Sequence, residues 1–246
     1  MAPTSITTTS ITLGETPRIR ALLARADDAL VLGHRLSEWT GRAPLLEEEL
    51  ALANIALDLI GQARALYTAT GQDEDRLAYL RDAWQYRNAL VMELPNGDFA
   101  FTISRLFLVS AASDRYWRAA MTATDPDLAA IAAKAEKETT YHLRHAAEWL
   151  IRLGDGTADS HRRTQAALDA LWPYTGELFE PDGLGPEIAR ADWETTVAPV
   201  IARATLACPA DGWMQSGGRR GRHTEHLGHL LAEMQVLPRT YPGATW

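Results

Sequence analysis

Residues 126–153 carry one line of side chains at alternating spacings of four and three: Leu128, Ala132, Ala135, Thr139, His142, Ala146, Trp149 and Leu153. Positions so spaced share one face of an α-helix. A helix of this length spans roughly 40 Å, enough for one full leg of a helical bundle. The small residues on the line let a neighbouring helix come close, as packing at a shallow crossing angle requires. Thr139 and His142 therefore point at the core. Asp125 caps this helix, Pro126 opens it, and Gly154-Asp155-Gly156 ends it.

The same periodicity recurs along the chain, and helices are expected at 17–39, 45–70, 74–92, 98–123, 126–153, 161–179, 186–206 and 222–237. Pro44 suits the first turn of the second helix, Glu47, Glu48 and Glu49 suit its positive dipole end, and Gly71 suits its far cap. That helix carries two apolar stripes, Leu46, Leu50, Ala53, Leu57, Ile60 and Tyr67 on one and Leu52, Ile55, Leu59 and Leu66 on the other. Two apolar faces predict burial on two sides, the position of a central helix. No Gly, Pro or Ser linker splits the chain. The expected organisation is all-α: a flexible tail over 1–16, rich in Thr, Ser and Ile, and one helical domain over 17–246.

A chain of 246 residues can bury a substantial core. Its net charge of -8 argues against wholesale binding to nucleic acid or an anionic membrane. Cys208 stands alone, so an internal disulfide and a thiolate metal cage are both excluded, and a reducing cytoplasm fits best. The segment from Met1 to Leu13 lacks the basic start and apolar run of a signal peptide, and nothing elsewhere reads as a membrane span.

Carboxylate-bridged di-metal bundles use a Glu from each of two helices and a Glu-x-x-His pair from each of the other two, because i and i+3 share a face and hold one ion. Here His142 is present, but Thr139 stands where the Glu belongs. The second helix offers Leu59 and Gln62 at the same spacing, without ligand chemistry. Gln62 is expected to meet His142 in a neutral hydrogen bond. Asp58 and Glu138 would reach a metal beside His142 only if the helices were rotated. His145 and Glu148 read as surface polar groups, and Trp39, Trp84, Trp117, Trp149, Trp172 and Trp193 as core or interface anchors.

The stretch Gly217-Gly218-Arg219-Arg220-Gly221-Arg222-His223 precedes a helix start. Flexible glycines beside Arg219, Arg220 and Arg222 could hold a phosphate, or form a solvated basic loop or subunit contact. His223, His226 and His229 drift around the helix, which speaks against a zinc clasp.

Residues 31–39 (VLGHRLSEW), 50–64 (LALANIALDLIGQAR), 137–144 (KETTYHLR) and 223–235 (HTEHLGHLLAEMQ) resemble the C-type structural subunits of phenylacetyl-CoA epoxidase, over about residue 21 to the C-terminus. The resemblance implies a ferritin-like helical bundle with additional C-terminal helices. It implies a complex in which a catalytic paralogue carries the di-iron centre, a reductase subunit supplies electrons and dioxygen converts phenylacetyl-CoA to its 1,2-epoxide. This chain would then be a pseudo-enzyme without a cofactor of its own, and a homodimer of the isolated chain is compatible with that role. Against the paralogue's ligand pattern, Ala29, Leu59, Gln62, Phe101 and Thr139 replace carboxylates or His, and only His142 matches. The interior at that level is expected to be neutral and apolar. Two other functions fit the residues: a di-metal oxidoreductase using Asp58, Glu138 and His142, and a stand-alone CoA-ester-binding protein.

Overall fold

The computed structural model describes residues 11–244, and among them every regular element is helical. In chain order these are α1 (Pro17–Ser37), α2 (Leu46–Ala69), α3 (Glu74–Tyr79), α4 (Leu90–Glu93), α5 (Phe99–Ala120), α6 (Pro126–Gly154), α7 (Ala158–Leu171), α8 (Arg190–Arg203) and α9 (Glu225–Thr240). α1 packs along α2, α5 packs along α6, and α2 meets α6 to close the four long helices into a bundle. α7 and α8 cover α5 and α6, while α9 covers α3 and α4. No helix among the described residues is long and apolar enough to cross a membrane.

The long helices start where their caps dictate. Asp125 accepts from the Leu128 N–H at 2.9 Å ahead of Pro126, as expected, and its carboxylate also takes the Arg18 guanidinium of α1. Thr16 caps α1 through the Ile19 N–H at 3.2 Å. Residues 11–16 are thus not a free tail: Ile11 is buried and its carbonyl accepts from Gln85 Nε2 at 2.7 Å. Residues 1–10 of the expected tail lie outside the described residues.

Burial assigns the centre differently from the sequence reading. α1 is buried along almost its whole length from Ala21 to Leu36, and α5 likewise from Thr102 to Ala112. α2 lies beside α1 and α6 and seals with Leu52, Ile55, Ala56, Leu59, Ala63, Leu66 and Tyr67. The N-terminal part of its other stripe faces outward, with Leu46, Leu50 and Leu57 68%, 57% and 67% exposed, whereas Tyr67 at its far end is buried. α2 is an outer helix with an apolar outer face.

The expected helix over 74–92 breaks after Tyr79 into a short 3-10 turn at Ala83–Gln85, an extended run and the short α4. Its backbone bonds run sideways instead of along a helix: the N–H groups of Arg87, Ala89 and Leu90 donate to the carboxylates of Asp27, Asp28 and Glu177 at 2.7, 2.8 and 2.7 Å. The helix expected over 161–179 starts earlier, at the Thr157 and Ser160 capping box, and gives way at Pro173 to two 3-10 turns. Pro44 precedes α2 instead of opening it, whereas Gly71 ends it at φ +75° as expected.

Those carboxylates put charge inside the bundle, and Asp28 with Arg25 lines a pocket beside Ala29, Leu59 and Gln62, the level expected to be neutral and apolar. Asp27 is fully buried against an equally buried Arg81, Asp28 pairs with Arg219 at 2.7 Å, and Glu93 accepts from Asn88, from the Thr224 N–H and lies 2.8 Å from His223. Each charge is paired or bonded several times, which is the condition for keeping it inside.

Candidate functional site

Where α1, α2 and α5 face one another they leave a partly open pocket of about 30 Å³ lined by Ala29, Leu59, Gln62, Val109 and Ser113 together with the charged Arg25 and Asp28. Such a space holds one or two waters. Ala29, Leu59 and Gln62 are therefore brought together as the ligand-pattern reading requires. Phe101 is not: it lies two turns N-terminal of Val109 on α5, half-buried, and Val109 and Ser113 take the place assigned to it. Counting along the sequence is what assigns Phe101 there, and counting cannot fix the register of one helix against another.

Thr139 and His142 point into the bundle, 2% and 1% exposed. Their partners differ from those expected. His142 Nε2 lies 3.0 Å from Asp58 Oδ2, and Gln62 donates from Nε2 to Glu138 Oε2 at 3.0 Å, so the expected Gln62–His142 bond is replaced by two bonds between α2 and α6. Between the same helices His145 Nε2 also lies 3.2 Å from Glu48 Oε2, both side chains largely buried, without the geometry of a hydrogen bond. His145 is thus a packing partner of α2 and not a surface group, while Glu148 is exposed as expected. The seam between α2 and α6 is a polar ladder at the level where metal would bridge the helices.

Burial holds the His142 imidazole below its ordinary value of 6.5, against the upward pull of Asp58. Below that pH the unfolded chain takes a proton that folded His142 resists, so its share of stability is intact above about 6.5 and shrinks as pH falls toward the depressed folded value. H142Q is expected to flatten the fall in urea midpoint between about pH 7.5 and about pH 5.5. His34, lowered by the same cause, keeps its own part of that slope.

A di-metal centre needs several anionic oxygens close together. Among the described residues no three His, Cys, Asp or Glu side chains converge to hold an ion. Asp58 reaches His142, but Glu138 is turned to Gln62 and Lys134. The residues present do not fit an iron or manganese pair.

The C-terminal arginines are placed differently from one another. Arg219 is spent inside the fold, donating to both Asp28 oxygens and to the carbonyls of Ala24 and Arg87. It is an anchor, and no phosphate can claim it. Arg220 and Arg222 keep exposed side chains, Arg220 standing 3.5 Å from Glu180. The neighbouring glycines serve packing and not flexibility, since a Cβ on Gly218 would overlap the Asn88 carbonyl oxygen. His223 is committed to Glu93 and to the Tyr86 carbonyl, which removes it from any zinc clasp.

Two packed pairs of long helices, with Ala29, Leu59, Gln62, Thr139 and His142 facing inward, define a class: an all-helical, ferritin-like bundle. The chain belongs to the phenylacetic acid catabolic protein family, whose pattern matches residues 1–246, and its all-helical bundle is the ferritin-like fold expected of it. It is 46% identical over 240 residues to the C-type subunit of 1,2-phenylacetyl-CoA epoxidase from Escherichia coli (strain K12), a match covering 91% of this chain and 97% of that protein.

Sequence reasoning missed the buried acids Asp27, Asp28, Glu93 and Glu177. One signal was available for the first two: they are the only acids in the helix-forming run from Ala21 to Leu32, whose other members are apolar except Arg25.

Proposed function

We propose that this chain is the non-catalytic structural subunit of a cytoplasmic di-iron phenylacetyl-CoA epoxidase, pairing with a metal-bearing catalytic paralogue served by a reductase. The observation that carries this reading is the filling of the inward ligand positions by Ala29, Leu59, Gln62 and Thr139, with His142 held by Asp58. The similarity to a protein named as a subunit of 1,2-phenylacetyl-CoA epoxidase supports it.

The role follows from what replaces the ligands. Close carboxylates in an empty centre repel one another. Buried Leu59 instead contributes roughly 1.5–3 kcal/mol. The polar ladder between α2 and α6 then fixes their register without metal, and a rigid bundle gives the paralogue a preorganised wall. Of the C-terminal loop, exposed Arg222, and Arg220 beside Glu180, are the arginines placed to meet a CoA phosphate.

Coexpression with the metal-bearing paralogue tests this. The expected result is a complex stable to gel filtration, iron bound by the paralogue and not by this chain, and epoxidation that requires both. Full turnover by the paralogue alone, or an iron pair bound stoichiometrically by this chain alone, would overturn the proposal.

A further inference from the structure

The pocket between α1, α2 and α5 is graded along its length. One end carries Arg25, Ser113 and Tyr116, and the other is made apolar by Leu32, Leu59, Met92 and Val109. The grading follows from helix spacing: Arg25, Ala29 and Leu32 share one face of α1, and Tyr116, Ser113 and Val109 share one face of α5.

Arg25 is the charged group at this pocket whose hydrogen bonding is incomplete. Its side chain is 15% exposed, and its guanidinium carbon stands 3.9 Å over the Tyr116 ring. Nε donates to Asp182 Oδ2 at 3.0 Å, and that acid lies outside the pocket lining. Among the described residues neither terminal nitrogen of Arg25 makes a hydrogen bond, and neither does the Ser113 hydroxyl. A guanidinium held by stacking and by its Nε edge presents a fixed terminal fork, whose two N–H groups match the two oxygens of one carboxylate.

The acids nearby are committed elsewhere. Asp182 also accepts from the Tyr116 hydroxyl and from the N–H groups of Leu184 and Gly185. Asp28 accepts from both terminal nitrogens of Arg219 and from the Ala89 N–H. Neither can turn to the fork without giving up those bonds.

We infer that this pocket is a site for a small carboxylate of the size of acetate. Its oxygens would take Arg25 Nη1 and Nη2 and the Ser113 hydroxyl, with its carbon end toward Leu59 and Val109. Space sets the size, since about 30 Å³ takes roughly two waters, comparable to acetate. The charges of Arg25 and Arg219 are balanced by Asp28 and Asp182, so no net field draws the anion in. Binding rests on directed N–H groups, and a dissociation constant of about 1 mM is expected. The site lies within this chain, so its failure would leave the role proposed above intact.

The test is a titration of the isotope-labelled full chain with acetate, at ionic strength held constant with sodium chloride and followed by backbone amide resonances. The Ala29 and Ser113 amides should shift and saturate together. S113A should weaken binding about 10-fold, and R25K, which keeps the charge without the fork, at least about 10-fold. A29L, which puts its side chain into the pocket, should abolish binding, and circular dichroism reports whether each variant is folded. Acetamide, of the same shape without the charge, should bind at least about 10-fold more weakly. Shifts that do not saturate below about 50 mM, acetamide binding equally well, or a constant that S113A and R25K leave unchanged would each overturn the site.

Discussion

D27A is expected to destabilise the protein by about 3–5 kcal/mol, a large part of the roughly 5–15 kcal/mol that holds a domain folded. Asp27 is fully buried and accepts from the Tyr67 hydroxyl at 2.6 Å, the Arg87 N–H at 2.7 Å and the Arg81 guanidinium through both oxygens. Removing the carboxylate leaves a buried cation with only neutral acceptors, the carbonyls of Leu77 and Gln85 and the Tyr67 oxygen. It also frees the Arg87 N–H in the very stretch where the backbone has no helical partner. Urea unfolding measures the loss. D27L/R81M, which removes both charges, should recover the part due to the unpaired cation and keep the part due to the orphaned Tyr67 hydroxyl and Arg87 N–H. A loss in D27A below about 1 kcal/mol would mean that water reaches Arg81 and that the pair is not what ties α1 to the 80–90 segment.

That segment also marks the boundary of what the sequence discloses. The long helices are legible because each carries its own cap and its own periodicity: Asp125 and Pro126 start α6, Gly71 stops α2, and the line through Thr139 and His142 faces the core as its spacing requires. The failures share one physical cause. Tyr86 to Ala89 is extended because acids from α1 and from beyond α7 take the N–H groups of this stretch and of Leu90 after it, and no local pattern announces a partner so distant in the chain. The pairing of His142 with Asp58, and not with Gln62, is set by the rotation of α2 against α6. The two stripes of α2 are apolar as their spacing indicates, but periodicity says only that a face is greasy. It does not say whether its cover lies in the same chain.

Degeneracy of the centre has a consequence that can be measured by trying to reverse it. L59E/T139E restores Glu at the first position of both Glu-x-x-His-like pairs, yet it is expected to cost at least about 3 kcal/mol at neutral pH and to recruit no iron. Leu59 is 9% exposed beside a pocket of about 30 Å³ and Thr139 is 2% exposed, so both new carboxylates would be largely desolvated. Gln62 and Ala29 supply no further anion, and His142 is already held by Asp58. Burial would raise the folded pKa of both new groups above the unfolded Glu value of about 4.3. The deficit should therefore be absent below that pH and grow as pH rises through the folded values, opposite in direction to the slope that His142 contributes. Urea midpoints measured across that range, with and without ferrous ion, separate the outcomes. If iron bound to L59E/T139E and lifted its stability to that of the wild type, the bundle would still be a competent metal cage, and the reading of its interior as a wall for another subunit's chemistry would fail.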